Sequence, residues 1–224
     1  MPWQESLDAA SRKRSANMAP FEFIQYVALE QLDALAIDGT SRALAGFATI
    51  AEEADAYGNR MFESYVQAVG ERDPGDFADE ARDQGVQYYV LLSNLRQGIV
   101  NLLAAGLYHL YEQHREKLKL ILTDSGRAMP PLEKLGGWAK VEELRHLANT
   151  VKHAEGPSAR ELRRIRPDLF VPPVTKRSPL EEHALRRATE NPLGGTDLFV
   201  TEADLQKYRD AIRQLWESLR PLLG

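Results

Sequence analysis

The sequence predicts an all-α fold, an antiparallel helical bundle built around one long central helix. Helical periodicity dominates the chain, with apolar residues returning every three or four positions. One such seam is far longer than the others: Tyr88, Leu92, Leu95, Ile99, Leu102, Gly106 and Leu110. A single repeated tetrapeptide offers at most a minimal two-strand ladder. It occurs as Asp168-Leu169-Phe170-Val171 and again as Asp197-Leu198-Phe199-Val200.

Taken in order, residues 1–18 are polar and read as a loose N-terminal arm or short helix. Phe21, Ile24, Ala28, Leu32 and Leu35 predict a helix from Pro20 to Ile37, stopped by Asp38-Gly39. Thr40 or Ser41 then caps a helix that runs to Val69, before Gly70. Asp73-Pro74-Gly75-Asp76 is a turn in which Asp76 serves as an N-cap. The long seam follows, from Phe77 to at least Glu116, or roughly 60 Å at 1.5 Å per residue. Leu91, Leu103 and Leu107 widen it, so this helix is expected to be central and contacted on several sides. Its length predicts a kink near Gly98 or Gly106, or a break after Gln113.

Thr123–Gly126 and Met129–Pro131 read as loop, and Gly136-Gly137 introduces a helix from Trp138 to Ala154. Gly156-Pro157 carries a stop signal. Ser158-Ala159-Arg160-Glu161 has the capping-box pattern for a short helix ending near Arg166, and Ser178-Pro179-Leu180-Glu181 is a second box. Thr201 caps the last helix, whose stripe is Leu205, Tyr208, Ile212, Leu215, Trp216 and Leu219. The two DLFV segments are expected to lie close together, as a minimal ladder closing off 172–196 as an excursion or as two separate loop anchors. The whole, 1–224, reads as one helical domain.

Hydrophobic residues make up 43% of the chain and charged residues 27%, which is ordinary globular usage. The absence of cysteine excludes disulfides, thiolate catalysis and Cys-based zinc sites. No apolar run reaches the roughly 18 to 20 residues of a membrane span, and the start lacks a signal-peptide pattern, so a cytoplasmic location without membrane contact is expected. The net charge of −5 conceals an asymmetry. Between Lys134 and Arg187 stand twelve Lys or Arg against seven Asp or Glu. That excess, which includes Lys152, Arg160, Arg163 and Arg164, marks where a polyanion such as RNA would bind. Read structurally, the same charges form a solvated, salt-bridged helical face.

Nucleotide-binding glycine loops, HExxH and GxSxG are all missing, and the histidines lack metal-ligand spacing, so no metal or cofactor is expected. The informative stretch is Glu142–Gly156. At about 100° per residue, Val141, Leu144, Leu147, Ala148 and Val151 form a core stripe. Arg145, Asn149, Lys152 and His153 share the face beside it. His153 also occupies the last turn, where the helix dipole favours positive charge. A fixed cation, an amide and an imidazole on one face are suited to holding or cleaving a phosphodiester. The same residues also suit a boundary helix whose side chains make ordinary surface contacts and caps.

The helix with Asn149-Thr150-Val151-Lys152-His153 resembles the motif helix of the HEPN superfamily, all-α bundles found in bacterial toxins, antiphage defence proteins and RNA-processing factors. The flanking segments 107–113 and 199–205 resemble uncharacterised bacterial proteins of related helical type. The resemblance implies metal-independent RNA cleavage, at a cleft between two protomers, by an R-x(4–6)-H motif. Arg145 would hold phosphate, Asn149 would orient the substrate and His153 would act as acid and base. Seven residues separate Arg145 from His153, an axial distance of roughly 12 Å against roughly 7.5 to 10.5 Å for the usual spacing. A second protomer or Lys152 would have to supply the shortfall. Arg177 and His183 also fit the spacing, but Ser178-Pro179 would place Arg177 before its helix. The expected function is that of a HEPN-like endoribonuclease or RNA-binding component of a defence or toxin system, homodimeric and possessing a partner protein in that system. The alternative is a non-catalytic interaction or accessory module.

Overall fold

A computed structural model describes residues 20–69, 75–171 and 198–223. They form an all-α bundle with no strand among the described residues. The helices are α1 (Pro20–Asp33), α2 (Thr40–Ala45), α3 (Ile50–Val69), α4 (Gly75–Asp124), α5 (Trp138–His153), α6 (Pro157–Ile165) and α7 (Glu202–Leu223). Four of them enclose the core. Arg96 pairs with Glu202 at one end and Arg127 reaches Leu222 and Leu223 at the other, so α4 and α7 run parallel. Phe21 packs on Trp216 and Gln206 bonds the Ala36 carbonyl, so α1 runs against them. Glu143 meets Tyr208, while Gly137 lies against Ala211, so α5 also runs antiparallel to α7. Leu107, Leu118, Leu144, Leu147, Leu205, Tyr208, Ile212, Leu215 and Trp216 fill the space between them.

The first half of α4 projects from this bundle, paired with α3. The two helices approach through small residues. A Cβ on Gly58 would lie 3.2 Å from the Ala81 carbonyl, and one on Gly85 would lie 3.1 Å from the Ala54 carbonyl. Tyr57 stacks on Tyr88 at 4.7 Å beside that crossing. The arm therefore holds by backbone proximity and ring contact, and it lies outside the main core.

The central helix is longer than expected: 50 residues, or roughly 75 Å, running unbroken through Gly98, Gly106 and Gln113. No break follows Gln113, and each half has its own partners, α3 on the first and α1, α5 and α7 on the second. Gly106 remains helical beneath the Leu35 side chain. One 18-residue window within Phe77–Asp124 has a mean hydropathy of 1.3 yet is only 28% buried. Leu91, Leu95 and Leu102 stand exposed along one side.

Other boundaries differ for local reasons. Asp38-Gly39 does not stop the first helix. Gly39 takes ordinary helical angles within a π-helical segment, Ala34–Gly39, that leads straight into α2. The Thr40 N–H and hydroxyl both turn back to the Leu35 carbonyl, so Thr40 cannot cap the helix that follows it. The break falls instead at Gly46–Thr49, and Thr49 bonds Glu53 at the start of α3. Gln206 takes the Ala36 carbonyl in the widened turn. At the next boundary α4 begins at Gly75, so Asp76 lies inside the helix rather than before it. Helix α5 ends at His153, close to the expected Ala154, and Pro157 also serves as the first residue of α6, so that Ser158 falls within the helix without capping it.

The last helix begins as expected. The Thr201 hydroxyl accepts from the Asp204 N–H at 3.1 Å, and the Asp204 carboxylate accepts from the Thr201 N–H and hydroxyl. The DLFV copies do meet: the Phe199 N–H donates to the Leu169 carbonyl at 2.7 Å. Leu169, Leu198 and Val200 are buried there, with no ladder beyond that contact among the described residues. Residues 1–18, the 172–196 excursion and Arg177–His183 lie outside the described residues.

Candidate nucleic-acid interface

Helix α5 is set in place at both ends. Gly137 has φ 84°, and a Cβ there would fall 2.1 Å from the Ala211 carbonyl, so only glycine admits this approach of the α5 start to α7. At the other end the Ala154 N–H closes the last turn onto the Thr150 carbonyl, at 2.9 Å. Ala154 itself adopts φ 57° and ψ −125°, a conformation that suits glycine. Between these points Val141, Leu144, Leu147 and Ala148 are buried as the periodicity predicts, joined by Glu143 and Thr150.

The opposite face is polar. Arg145 and Asn149 are half-buried there, and Lys152 and His153 are exposed. The register places all four on one side of the helix, but roughly 12 Å of axial rise keeps Arg145 and His153 apart. The Glu142 carboxylate accepts from Arg145 Nε at 3.0 and 3.1 Å and from Nη2 at 2.9 Å. That hydrogen bond raises the arginine pKa further. With Arg145 and Glu142 38% and 31% exposed, such an i,i+3 pair contributes only about 0.3–0.5 kcal/mol.

His146 joins this face and was not among the sequence candidates. Its Nε2 lies 3.3 Å from Arg145 Nη2. A guanidinium only donates, so Nε2 accepts and a neutral ring carries its proton on Nδ1, which is buried without a partner. Helix α4 supplies Tyr108, Tyr111 and Arg115 opposite. The rings of Tyr108 and Tyr111 lie 6.0 Å apart. Tyr108 feels the charges of both Arg115 and Arg145. Burial pushes the Tyr111 hydroxyl up to about 12 against the lowering effect of Arg115. That hydroxyl is buried beside Arg115 but makes no hydrogen bond of good geometry. Arg115 bonds the neighbouring Glu116 at 2.8 Å.

The basic segment is largely self-neutralised. Arg163 grips Glu155 with both nitrogens and lies over the Phe170 ring at 4.6 Å, which ties down the turn after His153. Arg164 bonds Glu161 at 2.6 Å. These pairs lower both carboxylate pKa values. Lys152 and Arg160 remain exposed.

The most enclosed charges lie elsewhere. Arg166 bonds Glu143 at 2.6 Å, Asp168 at 2.7 Å and Asp204 at 3.2 Å, and the Tyr208 hydroxyl donates to Glu143 at 2.7 Å. Exposures of 17% for Arg166, 11% for Glu143 and 5% for Asp204 mark a fully paired internal junction joining α5, α7 and the first DLFV turn. Burial, then Glu143, raises the Tyr208 pKa far above its ordinary value. Sequence reading missed this junction because its contacts between elements join residues 23 to 65 apart. Among the described residues no group of three His, Asp or Glu has the arrangement to hold a metal ion. Comparison of the chain with protein-family models, with curated proteins and with solved structures found no match.

Proposed function

We propose that the chain is a HEPN-like, metal-independent endoribonuclease or RNA-binding component of a bacterial defence or toxin system, acting through the polar face of α5. The observation that supports this reading is the grouping of Arg145, His146, Asn149, Lys152 and His153 on the one side of α5 not taken up by the core. In this reading Arg145 exchanges its weak Glu142 contact for phosphate oxygens, which accept two parallel hydrogen bonds from a guanidinium. Asn149 orients the strand, while Lys152 and Arg160, with Arg163 and Arg164 at the margin, add favourable field along α6. The His153 imidazole takes the proton of a ribose 2′-hydroxyl. Its oxygen attacks phosphorus, and the 5′-oxygen leaves with a proton from solvent. A second protomer, with the two chains completing one cleft, or Lys152 makes up the distance between Arg145 and His153.

Cleavage of a mixed-sequence RNA by the wild-type chain beside His153→Ala tests the assignment. The variant should lose cleavage and any toxicity while melting at nearly the wild-type temperature. Equal cleavage by both removes His153 from the chemistry. Sedimentation tests the composite site, since a strict monomer at high concentration eliminates it.

A second reading is a non-catalytic interaction module with a partner protein from the same system. The exposed Leu91, Leu95 and Leu102 on α4 favour it. RNA binding that weakens steeply with salt and yields no products would distinguish the binding-only form.

A further inference from the structure

Two arginines face the α4–α5 seam, and only one of them belongs to the motif helix. Arg145 projects from α5 and Arg115 from α4. Tyr108, Glu112 and Arg115 fall on one face of α4. That face meets α5, because Tyr108 interacts with both Glu142 and Arg145. Both guanidinium groups are accessible, 30% exposed for Arg115 and 38% for Arg145. Each is paired with a carboxylate nearby on its own helix, Glu116 or Glu142, and Arg145 also meets His146 Nε2 at 3.3 Å. Such exposed local pairs contribute little and give way to a better acceptor. Arg166, enclosed by three carboxylates, cannot be released in this way.

The Tyr111 hydroxyl, in a residue 3% exposed, is buried beside Arg115 without a hydrogen bond of good geometry. An unpartnered buried donor is costly to leave in place unless a ligand or water meets it. Two accessible guanidinium groups beside this buried hydroxyl form a site for an anion with several oxygens.

We propose that Arg115 and Arg145 together hold the phosphate backbone of RNA across the α4–α5 seam, with the Tyr111 hydroxyl as its floor. The inference rests on the RNA reading above and adds to it a second helix and a second phosphate-binding arginine. Arg115 sets where the strand lies, whereas His153 serves the chemistry.

The test uses the full chain and a short fluorescein-labelled single-stranded RNA, with affinity measured by anisotropy at several salt concentrations. Arg115→Gln and Arg145→Gln should each weaken binding about tenfold and reduce the salt slope by about one. Arg115→Lys keeps the charge but loses the planar fork, so it should restore the slope and only part of the affinity. It also serves as the measurement if Arg115→Gln fails to fold. Wild-type affinity and slope in Arg115→Gln, with binding lost in Arg145→Gln, would overturn the Arg115 assignment and leave the RNA reading intact. Absence of RNA binding by the wild-type chain would overturn both.

Discussion

At the scale of single residues, three positions carry more consequence than their chemistry suggests. Gly137 has no room for a methyl group, since a Cβ would meet the Ala211 carbonyl at 2.1 Å, and its φ of 84° disfavours any other residue. Gly137→Ala should therefore cost at least about 3 kcal/mol in chemical denaturation. Ala154 presents the reverse case. Glycine tolerates φ 57° and ψ −125°, so Ala154→Gly should stabilise the chain by about 1 kcal/mol, read by the same titration. His114 is buried with its Nε2 2.9 Å from Gln31 Oε1, and burial followed by Lys117 holds its pKa below the ordinary 6.5. The unfolded chain takes up that proton first as the pH falls. The contribution of His114 is thus full above pH 6.5 and is lost as the pH falls through its lowered native value. The drop in melting temperature between about pH 7.5 and about pH 5.5 should be smaller in His114→Gln.

At the scale of elements, the ion pairs separate joints from contact surfaces. The Arg166 junction fastens α5 to α7, and Arg166→Ala would remove the shared cation of Glu143 and Asp204, leaving Glu143 with Lys140 and Asp204 with Lys207. A loss of about 1.5–3 kcal/mol is expected, measured by denaturant unfolding. The buried faces of α5 and α7 were legible in the sequence because a helix displays its core at fixed spacing. The Thr201 cap was legible too, since its partner Asp204 is three residues away. The contact of Leu169 with Phe199 was signalled by a repeated tetrapeptide. What remained hidden depended on distant partners. Asp38-Gly39 has the composition of a stop, yet the π-helical turn persists because Gln206, 170 residues away, bonds the Ala36 carbonyl. The candidate face of α5 was legible as residues on one side of a helix. The role of Arg163 in gripping Glu155, and the approach of Arg115 on α4, depend on how helices pack.

At the scale of the molecule, one helix serves two bodies of unequal firmness. The four-helix bundle has a continuous apolar core, whereas the arm of α3 and early α4 rests on Ala54, Gly58, Ala81 and Gly85. Opening of α3 should therefore precede global unfolding. Amide exchange across 50–69 should be faster than across 138–153, and Gly85→Val should widen that gap while leaving the bundle folded. The extent of α4 also governs how the molecule turns in water. A compact chain of this length has a radius of gyration of about 17 Å, but a rod of roughly 75 Å runs through this one. Rotation about the long axis is then faster than end-over-end rotation. The N–H bonds of α4, which lie along that axis, should report the slower motion in nitrogen-15 relaxation, and amides lying across it the faster.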